Sequence, residues 1–135
     1  MINIHGIGWI NKIEYGCIMK DLMVRYEGDT EFDSLSKKIF SHPFKNFGRL
    51  DKISKLVCYA ITLALKDAGF DYSPEQKQDI GIIGTNDSGS LQADILYFKD
   101  YLDCGRTLGR GNFFIYTLPS SPLGEAAIHF GLQGP

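Results

Sequence analysis

Cysteine is scarce in this chain. There are three in 135 residues, Cys17, Cys58 and Cys104. No two of them form a C-x-x-C, and an odd number at wide, irregular spacing argues against a disulfide framework. A reducing, cytoplasmic setting is the expectation that follows. An excess of basic charge is also missing: 14 Lys and Arg stand against 16 Asp and Glu, for a net charge of −2. A nucleic-acid partner is not expected, because binding phosphates needs a basic patch. No apolar run approaches the length of a membrane span. The opening Met1-Ile2-Asn3-Ile4-His5-Gly6 lacks the basic start and cleavage site of a signal peptide. No repeat, linker or low-complexity stretch divides the chain, so residues 1–135 are read as one domain or part of one.

Catalytic and metal-binding patterns are equally sparse. His5, His42 and His129 share no ligand spacing with the cysteines, so no metal site is expected. A Gly-x-Ser-x-Gly nucleophile elbow is absent. Gly6-Ile7-Gly8 begins like a dinucleotide-binding turn, but Asn11 stands where the third glycine belongs. A strand end passed closely by another backbone explains the two glycines better. Gly84 to Ser90 has the outer glycine spacing of a phosphate loop, yet Ser90 replaces the lysine that would meet the phosphates. It reads as a polar turn leading into a helix.

Apolar residues make up 44% of the chain, enough to bury a core. Residues 2–10 alternate apolar with small or polar residues and read as a strand. Residues 14–48 are broken repeatedly and read as a loop-rich excursion. In it, Ile18, Leu22 and Met23 suggest one short helical face, and Leu35, Ile39 and Phe40 another. Residues 51–68 are the clearest helix. Asp51 suits the N-cap and Gly69 the C-terminal stop. Ile53, Val57, Ala60, Ile61, Ala64, Leu65 and Ala68 form its apolar stripe. Full burial of Ile53, Val57, Ile61 and Leu65 is worth about 1.5–3 kcal/mol each before entropy is subtracted. Residues 79–85 read as a short buried strand of parallel type. Residues 91–103 read as a helix with Leu91, Ile95, Phe98 and Leu102 facing inward. Ser121 and Pro122 fit the N-cap and first position of a last helix, with Leu123, Ala126, Ala127 and Phe130 inside and Gly131 at its end. This order predicts an α/β fold with an incomplete, mostly parallel sheet.

Four stretches, in order, resemble the β-ketoacyl synthases, the condensing enzymes of fatty-acid and polyketide synthesis. They are residues 2–10; Phe47-Gly-Arg-Leu-Asp-Lys-Ile-Ser-Lys-Leu56; Gly81 to Thr85 with Ser88 to Leu91; and Phe113-Phe114 through Gly134-Pro135. The resemblance implies a thiolase-like fold, of which this chain is the N-terminal part of one α/β/α layered half. It implies acyl transfer to a cysteine, then decarboxylative condensation with malonyl-acyl carrier protein, a reaction that needs no metal or organic cofactor. It also implies acyl-carrier-protein thioesters as partners of the complete enzyme, and a homo-oligomer or a second condensing-enzyme subunit. The family's nucleophile follows the Gly-Leu-x-Gly-Pro turn, and its two histidines come later still. No residue of 1–135 corresponds to them, so no catalytic residue is assigned and the chain alone is expected to be catalytically incomplete. By the same resemblance Tyr116, Thr117 and Leu118 line the acyl tunnel, Leu118 at its far end. Packing of the core alone is the competing reading of these three. A non-catalytic partner that shapes a complete synthase is the competing reading of the whole.

Overall fold

The computed structural model describes residues 1–107 and 109–134, and Thr30 by its backbone only. Its central element is helix α3 (Lys52–Asp67). The Asp51 carboxylate accepts from the Ser54 N–H at 3.0 Å, as the sequence leads one to expect of an N-cap. Beyond the helix Gly69 takes φ +75°, a conformation that disfavours a side chain, and its N–H bonds the Lys66 carbonyl. The stripe itself is corrected. Ser54, Cys58, Tyr59, Thr62, Leu63 and Asp67 are the buried positions, whereas Ile53, Val57, Ile61 and Leu65 are half-covered. The helix is covered from two directions, so no single face of it is the inside.

Three short strands precede α3: β1 (Gly8–Ile10), β2 (Glu14–Cys17) and β3 (Leu22–Arg25). They form one antiparallel sheet in the order β1-β2-β3, with Trp9 opposite Gly16 and Tyr15 opposite Val24. The expected parallel sheet is thereby corrected, and so is the helical face at Ile18, Leu22 and Met23. Only three residues join β1 to β2 and four join β2 to β3. Parallel neighbours need a crossover of a dozen residues or more, so such short links impose hairpins. Asn11 closes the first of them, its side-chain oxygen accepting from the N–H groups of Ile13 and Glu14 at 2.9 Å each.

The strand expected over 2–10 is regular only at Gly8–Ile10. Residues 79–85 are extended, but they are not a ladder strand. Their neighbourhood holds a single parallel bridge, Gln78 to Leu132, continued by Gly134 N–H to the Ile80 carbonyl at 3.0 Å. A ladder needs consecutive bridges, and among the described residues only the one at Gln78 forms.

Between the sheet and α3 lie α1 (Gly28–Phe32), a 3-10 turn (Asp33–Leu35), α2 (Ser36–Ile39) and a second 3-10 turn (Phe47–Arg49). Leu35 and Ile39 are fully buried there, as their spacing predicts. Helix α4 (Leu91–Asp103) has the bounds read from the sequence. Its orientation is the reverse of expectation. Leu91, Ile95, Phe98 and Leu102 face solvent, and Ala93 is its buried residue. The helix docks through its other side on α5 (Gly111–Phe114) and the 3-10 turn Ile115–Thr117, with Arg110 paired to Asp100 at 3.1 Å. Among the described residues the one sheet, β1-β2-β3, makes no contact with α4 that would cover the stripe.

Helix α6 (Ser121–Phe130) starts one residue earlier than expected, with Ser120 at the cap and Pro122 in the first turn, where its missing N–H costs nothing. Gly131 ends it at φ +68°. α6 packs along α3, and the main core lies between them and residues 32–50. No helix among the described residues is long and apolar enough to cross a membrane.

Candidate functional site

The segment singled out by the sequence, Tyr116-Thr117-Leu118, spans the end of the 3-10 turn Ile115–Thr117 and the extended residue after it. Local hydrogen bonds hold it. The Thr117 hydroxyl donates to the Phe114 carbonyl at 2.7 Å. The Thr117 carbonyl accepts from the Ser90 hydroxyl at 2.6 Å. Ser90 sits at the start of α4 but caps no amide of that helix with its side chain. The segment is thus tied to α4 across 27 residues of sequence.

The three residues have different surroundings. Tyr116 is half-buried and lines a cleft of about 280 Å3. Arg49 to Ile53 at the start of α3 form one wall. Gln92, Ala93 and Leu96 of α4 form another, and Asn112 and Phe113 of α5 close it. Most of the lining is apolar, and two of its charged groups are already engaged. Asp51 caps α3, and Lys52 pairs with Asp29 at 2.9 Å. Burial pushes the Tyr116 phenol up, and the carboxylates of Glu125 and Asp51 and the Cys58 thiol add to the effect, so it stays a neutral hydrogen-bond donor. Thr117 and Leu118 do not line this cleft, and Leu118 is 49% exposed. The structure therefore brings one of the three candidate residues to a cavity.

The cysteines are free and chemically quiet where they are buried. Cys58 is fully buried in α3. Burial, then Glu125 and Asp51, push its thiol up to about 12. At neutral pH it is therefore held as the thiol and not as the nucleophilic thiolate. Cys17 is also buried, and burial together with Asp67 raises it, against the opposing pull of Lys20 and Lys66. Cys104 follows α4 and is exposed. Among the described residues no histidine hydrogen-bonds a cysteine, and no three His, Cys, Asp or Glu side chains are grouped to hold a metal ion. Pro135, the last residue of the Gly-Pro turn, lies outside the described residues.

The two glycine patterns turn out to be structural. A Cβ at Gly6 would sit 2.5 Å from the Ala64 carbonyl oxygen and the Ala68 nitrogen, and one at Gly8 would collide with the backbone of Leu63 and Ala64. The strand crosses α3 at backbone contact, which accounts for Gly-x-Gly. In the loop 84–90, Asn86 accepts from the Ser88 N–H at 2.9 Å and donates to the Gly89 carbonyl at 3.1 Å, a self-contained polar turn.

Two buried polar groups were not legible as special. Asp67 at the end of α3 is 6% exposed. Its carboxylate accepts from the N–H groups of Ile7 at 2.8 Å, Met19 at 3.0 Å and Lys20 at 2.9 Å. Desolvation raises this carboxyl, but the three amides and the Lys20 charge outweigh it and hold it below the ordinary value. His129 is 6% exposed, and its Nε2 has no hydrogen-bond partner. Its ring stacks on Phe44 at 3.5 Å and meets Phe40, Tyr72 and Phe130 edge-on or tilted. The only sequence signal for Asp67 was a charged residue closing an apolar helix. For His129 it was a histidine next to the inner Phe130.

Comparison with protein-family models, with curated proteins and with solved structures finds no match.

Proposed function

We propose that this chain is the N-terminal part of a β-ketoacyl-acyl-carrier-protein synthase of thiolase-like fold, contributing scaffold and tunnel wall but not the nucleophile. The observation that carries this reading is the ordered succession of four motif segments. All four have a physical job in the fold. Gly6 and Gly8 let β1 cross α3 at backbone contact. Asp51, from Arg49-Leu50-Asp51, caps α3. The segments around Gly81 and Gly134 run side by side, the Gly134 N–H bonding the Ile80 carbonyl.

In the complete enzyme a cysteine beyond this chain would accept an acyl group from acyl-carrier-protein thioester. Malonyl-acyl carrier protein would then lose carbon dioxide, and the resulting carbanion would attack the thioester carbonyl and expel the thiolate. The part assigned to this chain is apolar lining. Tyr116 supplies an aromatic wall with a neutral hydroxyl, and Leu118 the far end of the acyl path.

A chimera tests this reading. Residues 1–134 replace the matching N-terminal segment of a characterised condensing enzyme, and condensation of acyl donors of graded length is measured. An active chimera, whose Leu118→Phe variant shifts preference to shorter donors, is the expected result. A folded but inactive chimera overturns the reading, and an active one with unchanged preference removes Leu118 from the tunnel.

A further inference from the structure

A second cleft, of about 370 Å3, is bordered by α2, the loop after it and the second 3-10 turn. Ligand pockets typically measure about 300–1,000 Å3, so it can take a small molecule. Its lining is aromatic. The rings of Phe40, Phe44 and Phe47 form it, with centroids 5.2, 5.0 and 5.1 Å apart. Pro43 extends the apolar wall, and Lys37 and His42 are its charged or titratable members. We propose that this cleft binds a small planar aromatic carboxylate, with the ring on Phe44 and the carboxylate at Lys37. The proposal does not depend on the condensing-enzyme reading.

The aromatic surface is held in place before any ligand arrives. Phe40 stacks on the fully buried Tyr59 at 5.2 Å, and Phe47 is itself buried. His129 covers one face of the Phe44 ring at 3.5 Å and 11°. Phe44 is nonetheless only half-buried, and its uncovered part borders the cleft. The loop between these rings is tied down as well. The Ser41 N–H donates to the Tyr72 hydroxyl at 3.0 Å, and the His42 ring meets Tyr72 edge-on at 5.6 Å. A ring fixed from behind loses little freedom when a second ring stacks on it. Stacking favours an aromatic over a saturated ring by roughly three- to ten-fold.

Charge selects the other end of the ligand. Residues 34–50 hold Lys37, Lys38, Lys45 and Arg49 and no Asp or Glu, in a chain whose acids outnumber its bases. Among the described residues none of these four forms an ion pair, so their positive field is not cancelled locally. His42 adds little to it. Its Nε2 lies 3.2 Å from the Asp71 carboxylate, which repels an anion from that end. Among the described residues that line the cleft, Lys37 is thus the cation left open to an anion. One ammonium matches the single charge of a carboxylate. A phosphate ester carries close to two charges at neutral pH and would leave one of them without a lining partner.

Titration of the full chain with naphthoate, followed by two-dimensional amide NMR, tests the proposal. A dissociation constant of about 1 mM or tighter is expected for a ligand of this size. The shifted amides should centre on residues 37–47. Naphthamide keeps the ring without the charge and should bind about five-fold more weakly. Decalin carboxylate keeps the charge on a saturated ring and should bind about three-fold more weakly or worse. Lys37→Glu should weaken naphthoate about ten-fold and leave naphthamide unchanged. Lys99→Glu, the same charge change on α4, is the control and should leave both unchanged. Phe44→Leu should erase the preference for the aromatic ring. Lys37 is exposed, so its variant decides the matter even if Phe44→Leu fails to fold. No binding at about 10 mM naphthoate, well above the expected constant, would overturn the proposal. So would shifts centred on the Tyr116 cleft, equal affinity for naphthoate and naphthamide, or equal losses from Lys37→Glu and Lys99→Glu.

Discussion

Acidification should unload this fold through one side chain, His129. Its ring is 6% exposed, it stacks on Phe44 at 3.5 Å, and its Nε2 has no partner. Burial, and secondarily the charge of His42, lowers it from 6.5 to about 4. The folded state thus binds the His129 proton more weakly than the unfolded chain does. The neutral ring's contribution is fully present above the unfolded value of 6.5 and is lost as the pH falls through the window down to about 4. Each tenfold weakening of proton binding corresponds to about 1.4 kcal/mol, so the loss across the window is on the order of 3 kcal/mol. Set against the roughly 5–15 kcal/mol that holds a domain together, that is a large fraction. The assay is urea denaturation at pH 8, 7, 6, 5 and 4, followed by the fluorescence of the single tryptophan, Trp9 in β1. The comparison is His129→Phe, which keeps a flat ring and removes the unpartnered nitrogen. At pH 7.5 this variant should match or exceed the parent, because it no longer buries an unsatisfied polar atom. From pH 6.5 to 4 the parent should lose about 3 kcal/mol more than the variant. Parallel pH profiles for the two proteins would refute the argument, and with it the placement of His129 among the aromatic rings.

Gly8→Ala should destabilise the fold by about 1–3 kcal/mol, because its methyl would meet the Leu63 Cβ at 2.6 Å; Gly48→Ala, with nothing within 4 Å, is the control, and equal melting temperatures for the two variants would refute the backbone crossing. Asp67→Asn should lower the melting temperature at neutral pH, because an amide accepts the Ile7, Met19 and Lys20 N–H groups without charge. In the parent the Asp67 contribution is present above the ordinary 3.8 and is lost only as the pH falls below it, beneath the His129 window. An unchanged melting temperature would remove Asp67 as the tie between α3 and the sheet. In the native protein a thiol reagent should label Cys104 alone, and incubation with acyl-carrier-protein thioesters should leave the intact mass unchanged; stoichiometric acylation of Cys17, Cys58 or Cys104 would show that this chain does carry a nucleophile.

Helix ends and helix identities were written locally. Asp51, Gly69 and Gly131 each act within one turn of their own helix, so α3 and α6 start or stop within a residue of expectation, and α4 runs from Leu91 to Asp103 as its apolar period predicts. Such signals need only neighbours three or four residues away. Gly-x-Gly was legible as a close approach, though not as an approach to Ala64 and Ala68 in particular. The site was legible only as a segment: the sequence picked out Tyr116, Thr117 and Leu118, and tertiary structure gave Tyr116 alone a cleft, by folding the start of α3 against α4 and α5. What tertiary structure decided is non-local throughout. The direction of the sheet depended on three- and four-residue links closing as hairpins. The outward turn of α4 depended on what stood beside it, because periodicity identifies an apolar face but not what covers it. Asp67 and His129 became special only through partners 47 to 89 residues away in the chain, Lys20, Met19 and Ile7 for the one and Phe44, Phe40 and Tyr72 for the other, and no window of local sequence contains both sides of such a contact.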